Sequence, residues 1–131
     1  MDLDTRTTAL VLGRSRAVIG LVLVFLPGLA ARLWFGENSA RTRALLRMVG
    51  VRDLILGVGA LTSVKEGTQD AEWIGMGALA DAVDGFVTLT APGIPRRGRL
   101  VGPAALGSAA LGLKLARDLA DARKLPTPVA E

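Results

Sequence analysis

The sequence predicts an all-α protein, a four-helix transmembrane bundle with short loops. Three observations predict it. Half of the 131 residues are hydrophobic, and mean hydropathy is +0.42. That half collects in four blocks, each near the ~20 apolar residues that cross a hydrocarbon core. The blocks are rich in Gly and Ala, the residues through which membrane helices approach one another. The length suits one domain covering residues 1–131.

The first span is 8–26. Its stretch Ala17–Leu26 has no polar face, which a soluble amphipathic helix would need. A signal peptide is the rival reading, with Arg6, Arg14 and Arg16 ahead of the apolar run. Gly28-Leu29-Ala30 makes a poor cleavage site for it. Pro27-Gly28 ends or kinks this helix, because proline cannot continue the hydrogen-bond ladder. Leu29–Phe35 then reads as a short interfacial turn of helix, with Trp34 and Phe35 at headgroup level. Glu37–Arg43 is a polar connection in which Asn38 or Ser39 caps the next helix.

The second span is 44–64, and its Leu54–Leu61 also lacks a polar face. The polar loop Lys65–Glu72 turns it into an antiparallel hairpin with the third span, 73–91. Pro92-Gly93 closes that helix, and Arg96, Arg97 and Arg99 follow as a basic loop. The fourth span is 100–120, with Pro103 in its first turn, where a missing N–H is tolerated. Met1–Thr7 reads as a polar lead and Leu125–Glu131 as a frayed tail. Gly13 and Gly20 lie seven apart, as do Gly50 and Gly57, so each pair marks one helix face. Ser108 and Gly112 form a small-xxx-small pair on the fourth helix.

The residues that are missing limit the chemistry. There is no His, no Cys and no Tyr. A Ser-His-Asp triad, a thiol nucleophile, a disulfide framework, a Cys/His zinc site and a His-ligated haem are all excluded. Asp, Glu, Lys and Arg remain for acid–base work. No catalytic residue, metal ligand or cofactor is expected, and an enzyme is the less favoured reading.

The charges inside the spans are the most informative feature. A charge at the bilayer centre costs about 2.5–3.5 kcal/mol on insertion scales, so such residues turn inward and pair. At about 1.5 Å per residue, Asp53 lies roughly 16 Å deep and Arg52 roughly 18 Å, level with Asp84 at roughly 16 Å. Asp81 lies roughly 12 Å deep, and Arg14 roughly 10 Å if its helix begins near Thr7. Asp81 and Asp84 are three apart and share a face. The expected network is therefore Arg14–Asp81 and Arg52–Asp84, with Asp53 as an extra carboxylate. Two cations then meet three carboxylates, which leaves one Asp to be protonated or to bind a further cation. Arg16, Arg47 and Lys114 are expected to snorkel to the interface, and Asp118 and Asp121 to be solvated.

Four spans put both termini on one side. Lys and Arg number eight on the terminal side and seven on the other, leaving out Arg52. The positive-inside rule therefore gives almost no bias, and cytoplasmic termini in the cell (inner) membrane are the adopted orientation. The net charge of +4 and the Arg-rich ends favour anionic lipid headgroups in the bilayer as partners. Nucleic acid is not expected, because the basic residues flank apolar spans and form no single face. A homo-oligomer or a place in a larger membrane complex fits so small a bundle.

The stretch Gly50-Val51-Arg52-Asp53-Leu54-Ile55-Leu56-Gly57, the motif Asp81-Ala82-Val83-Asp84, and Trp34-Phe35-Gly36 after a Pro-Gly stop carry a resemblance. Over roughly Ala9 to Ala120 the chain resembles a family of small four-helix membrane proteins of unknown function, common in actinobacteria. The resemblance implies fold and location but no activity. The chain is also similar in length and charge balance to the small multidrug transporters. It departs from them where their first helix carries an embedded Glu, since Arg14 stands in that helix here, and in lacking an aromatic-rich face. The expected role is a non-enzymatic small bundle or accessory subunit held by the Arg/Asp network. The alternatives are a proton- or cation-coupled transporter using Asp81, Asp84 and Asp53, and a lipid- or anion-binding protein using Arg14 and Arg52.

Overall fold

A computed structural model describes residues 3–68 and 70–124. Six helices follow one another among them, and no strand is present among the described residues. They are α1 (Leu3–Phe25), α2 (Pro27–Trp34), α3 (Ala40–Glu66), α4 (Asp70–Thr90), α5 (Arg96–Arg99) and α6 (Val101–Lys124). The all-α class is thus present, with four long helices and two short ones. The polar lead expected ahead of the first span is instead helical from Leu3. The expected frayed tail, Leu125–Glu131, lies outside the described residues.

Each helix boundary has a local cause. Leu26 leaves the helical region at φ −121°, and Pro27 then opens α2 at a position that needs no N–H. Ser39 caps α3, its side chain accepting from the Thr42 amide at 3.1 Å. Gly67 ends α3 in the left-handed region at φ 69°, and the Thr68 amide donates back to the Ser63 carbonyl at 3.0 Å.

The long helices pack as two antiparallel pairs, α1 on α3 and α4 on α6, with lighter contact between the pairs through α3–α4 and α1–α6. The heptad-spaced glycines set the first pair. A Cβ at Gly20 would stand 2.7 Å from the Gly50 carbonyl oxygen, and one at Gly57 would stand 2.8 Å from that of Gly13. So the two marked faces meet, Gly20 opposite Gly50 and Gly13 opposite Gly57. In the second pair a Cβ at Gly85 would stand 2.9 Å from the Gly102 oxygen.

What the bundle buries is mostly small. Ala9, Ala31, Ala60, Ala71, Ala78 and Ala109 are in the core, beside a few larger side chains such as Leu46, Val64 and Leu119. What it exposes is large and apolar. Phe25 is 73% exposed, Leu79 67%, Met48 68% and Phe86 65%, and Val18, Ile55, Val83 and Leu111 also face outward.

By length and composition one helix among the described residues, Asp4–Phe25, is long and apolar enough to cross a membrane. The sequence reading expected four. The other long helices carry charge inside their apolar runs: Arg47, Arg52 and Asp53 in α3, Asp81 and Asp84 in α4, Lys114 and Arg117 in α6.

Candidate functional site

The site is built where the two helix pairs meet, and each helix contributes a polar side chain at the same level. From α1 comes Arg16. It lies three residues after Gly13 and four before Gly20, so it shares the face that α1 turns inward. From α3 come Arg52 and Asp53, from α4 Asp81 and Asp84, and from α6 Ser108.

Arg16 is the hub. Its Nη1 lies 3.0 Å from Asp53 Oδ1 and its Nη2 2.5 Å from Asp81 Oδ2, and Nη2 also donates to the Gly77 carbonyl at 2.9 Å. Gly77 leaves the room for this, since a Cβ there would come within 3.1 Å of Arg16 Nε. Arg52 grips Asp84 with both arms, Nη1 to Oδ1 at 3.0 Å and Nη2 to Oδ2 at 2.5 Å. The same guanidinium reaches Asp53 Oδ1 at 3.1 Å. The Ser108 hydroxyl donates to Asp81 Oδ2 at 2.6 Å. The side chains of Arg16 and Asp53 are 13% and 9% exposed, while Arg52 at 34% sits nearer the rim.

Two guanidiniums thus meet three carboxylates, as expected, but the first cation differs. Arg14 is exposed and stands outside the network. Arg16, expected to snorkel to an interface, occupies its place. The expectation reckoned depth from a helix start near Thr7, whereas facing decides the matter. Arg14 is about 100° round the helix from Gly13, away from the glycine face. The glycine spacing already held that signal. In the sequence Ser108 is a packing residue only, and nothing in its context marks it as a partner of Asp81.

Other charges are satisfied outside the network. Arg47 is exposed, with Nε 3.4 Å from the Val24 carbonyl. Lys114 pairs with Asp118 at 2.7 Å, and Lys124 with Asp121 at 3.1 Å, all exposed. At the terminal end Arg123 of α6 pairs with buried Asp70 of α4. At the other end Arg99 donates to the carbonyls of Leu89 at 2.8 Å and Ala91 at 3.3 Å, closing the C-terminus of α4. In the sequence alone Arg99 is only part of a basic loop.

A cavity of about 230 Å³ lies against the network. Arg16, Asp53, Asp81, Asp84, Ser15 and Ser108 form its polar wall, and Leu12, Ile19, Trp34 and Trp73 are among its apolar lining. Arg52 is not part of that lining. Trp34 Nε1 is buried without a hydrogen-bond partner among the described residues. Among the described residues no group of three or more His, Cys, Asp or Glu could hold a metal ion. No family model, no curated protein and no solved structure matches the chain.

Proposed function

We propose that the chain is a multi-pass protein of the cell (inner) membrane. In this reading α1, α3, α4 and α6 cross the bilayer, and α2 and α5 lie at one interface. The termini share the other side, taken as cytoplasmic. The observation that carries the reading is the inverted distribution of side chains. Large apolar residues face outward on all four long helices, while alanines, glycines and an ion network face inward. In water so much exposed apolar surface marks an interaction site. In lipid it is the expected surface, and inward pairing of charge is the expected arrangement. The bundle acts as a small non-enzymatic module or accessory subunit, its two helix pairs fastened by Arg16 and Arg52. Alkaline carbonate extraction tests the placement: the protein should stay with the membrane pellet, and release into the supernatant contradicts it.

A second reading is favoured by the cavity and the surplus carboxylate beside it. Proton- or cation-coupled transport through Asp53, Asp81 and Asp84 would use both. Reconstituted in liposomes, the protein should then carry a flux driven by a pH gradient that Asp81→Asn abolishes. No flux from the native protein ends that reading.

A further inference from the structure

The cavity wall is not electrically balanced. Among the described residues that line it, Arg16 is the one cation and Asp53, Asp81 and Asp84 are the carboxylates, while Arg52 is outside the lining. The carboxylates are also unequally committed. Asp84 has both oxygens in the grip of Arg52. Asp53 and Asp81 are each engaged through one oxygen, Oδ1 and Oδ2 respectively. Asp53 Oδ2 and Asp81 Oδ1 have no partner among the described residues, although Asp53 is only 7% exposed.

We infer that the cavity is a binding site for one small organic ammonium ion, held between Asp53 Oδ2 and Asp81 Oδ1. The N–H donors of an ammonium match two acceptor-only oxygens, and one positive charge balances two Arg against three Asp. The rest of the wall selects the body of the ligand. Leu12, Ile19 and Trp73 offer apolar surface to an alkyl chain. A bare metal ion would leave that surface unused, and two carboxylates already tied to arginine make a poor inner sphere. An anion would face three carboxylates.

This inference deepens the transport reading and rests on it for its biological use, but its test needs no gradient. The full chain in lipid nanodiscs is titrated with propylammonium chloride, and thermal stability and calorimetric binding are followed. Sodium chloride at equal ionic strength and sodium propionate are the comparisons. Propylammonium should give a saturable rise in Tm that neither comparison gives. Asp81→Asn should weaken its binding at least about tenfold, the effect of losing one charged hydrogen bond. Ala105→Leu, which fills the cavity without touching a charge, should weaken it as well, and Asp118→Asn should leave it unchanged. If Asp81→Asn does not fold, the Ala105→Leu arm decides. The inference is overturned by an absent or non-saturable response, by an equal response to propionate, or by native affinity in both cavity variants. Binding without flux keeps the inference and ends the transport reading.

Discussion

The Arg16 guanidinium on α1 lies 2.5 Å from the Asp81 carboxylate on α4, and this contact ties one helix pair to the other. Within each pair, close backbone packing at glycine does the holding. Between the pairs, contact is lighter, and the charges share it with an apolar cluster that includes Ala9, Val64, Ile74 and Leu119. Removing one partner of such a half-buried pair leaves the other charge unmet, at a cost approaching the ~3–5 kcal/mol of a fully buried pair. Arg16→Gln should therefore lower unfolding free energy in detergent by about that much. Arg14→Gln, two residues away and exposed, should stay within about 0.5 kcal/mol. Equal effects of the two variants would contradict the network.

Arg52 and Asp84 should behave as a coupled unit. In a double-mutant cycle of Arg52→Gln and Asp84→Asn, the double variant should be more stable than the sum of the single losses allows. An interaction energy of about 0.5–3 kcal/mol is expected for residues in direct contact. Additive losses would show that the bidentate geometry contributes nothing.

The glycine contacts between α1 and α3 are the part of the fold most legible in the sequence. Seven-residue spacing puts Gly13 with Gly20 and Gly50 with Gly57, and the helices meet on those faces. Gly20→Val should push against the Gly50 oxygen and the Leu54 amide, both 2.7 Å from the new Cβ, and cost about 1–3 kcal/mol or more. Gly107→Ala, with nothing within 4 Å of its Cβ, should instead stabilise α6 by about 0.5–1 kcal/mol. Thermal melts of the two variants in detergent check both signs.

Other features are harder to read, for physical reasons. The level of a charge along a helix is readable from residue count, but which of Arg14 and Arg16 turns inward depends on facing. That was fixed by the glycines and not by depth. Ser108 looks like any small packing residue until α6 is docked beside Asp81. Arg99 looks like part of a basic loop until α5 brings it under the α4 carbonyls. Long-range partners of this kind are set by tertiary packing, which no local pattern records.

Arg99 satisfies carbonyls at the negative end of α4, so Arg99→Ala should loosen the last turn of that helix. A loss of about 1 kcal/mol is expected from the helix-end charge and its hydrogen bonds. Hydrogen exchange at Val87–Ala91 should rise while that of the Arg16 region stays unchanged. Uniform protection across α4 would contradict the capping role.

The start of α3 should carry a pH dependence. The Thr42 hydroxyl and then the Ser39 amide donate to the Glu37 carboxylate and hold it below its ordinary value of 4.5. The ionised form is thus favoured in the folded state. Its contribution is present above pH 4.5 and is lost as pH falls through the lower folded value. Exchange at Ser39–Arg43 should accelerate on acidification, and Glu37→Gln should remove that acceleration. A native chain whose α3 start is insensitive to acid would contradict the contact.

The central claim is that the outward apolar faces meet lipid while the Arg/Asp network is enclosed. The chain has no Cys, so a single introduced cysteine reports on its own position. Ile55→Cys and Val83→Cys are outward-facing residues near the level of Asp53 and Asp84. In intact membrane vesicles both should resist a membrane-impermeant maleimide, and fluorophores attached there in detergent should be quenched by brominated lipid after reconstitution. Rapid labelling of either site in intact vesicles, with no quenching by brominated lipid, would contradict a membrane-embedded bundle.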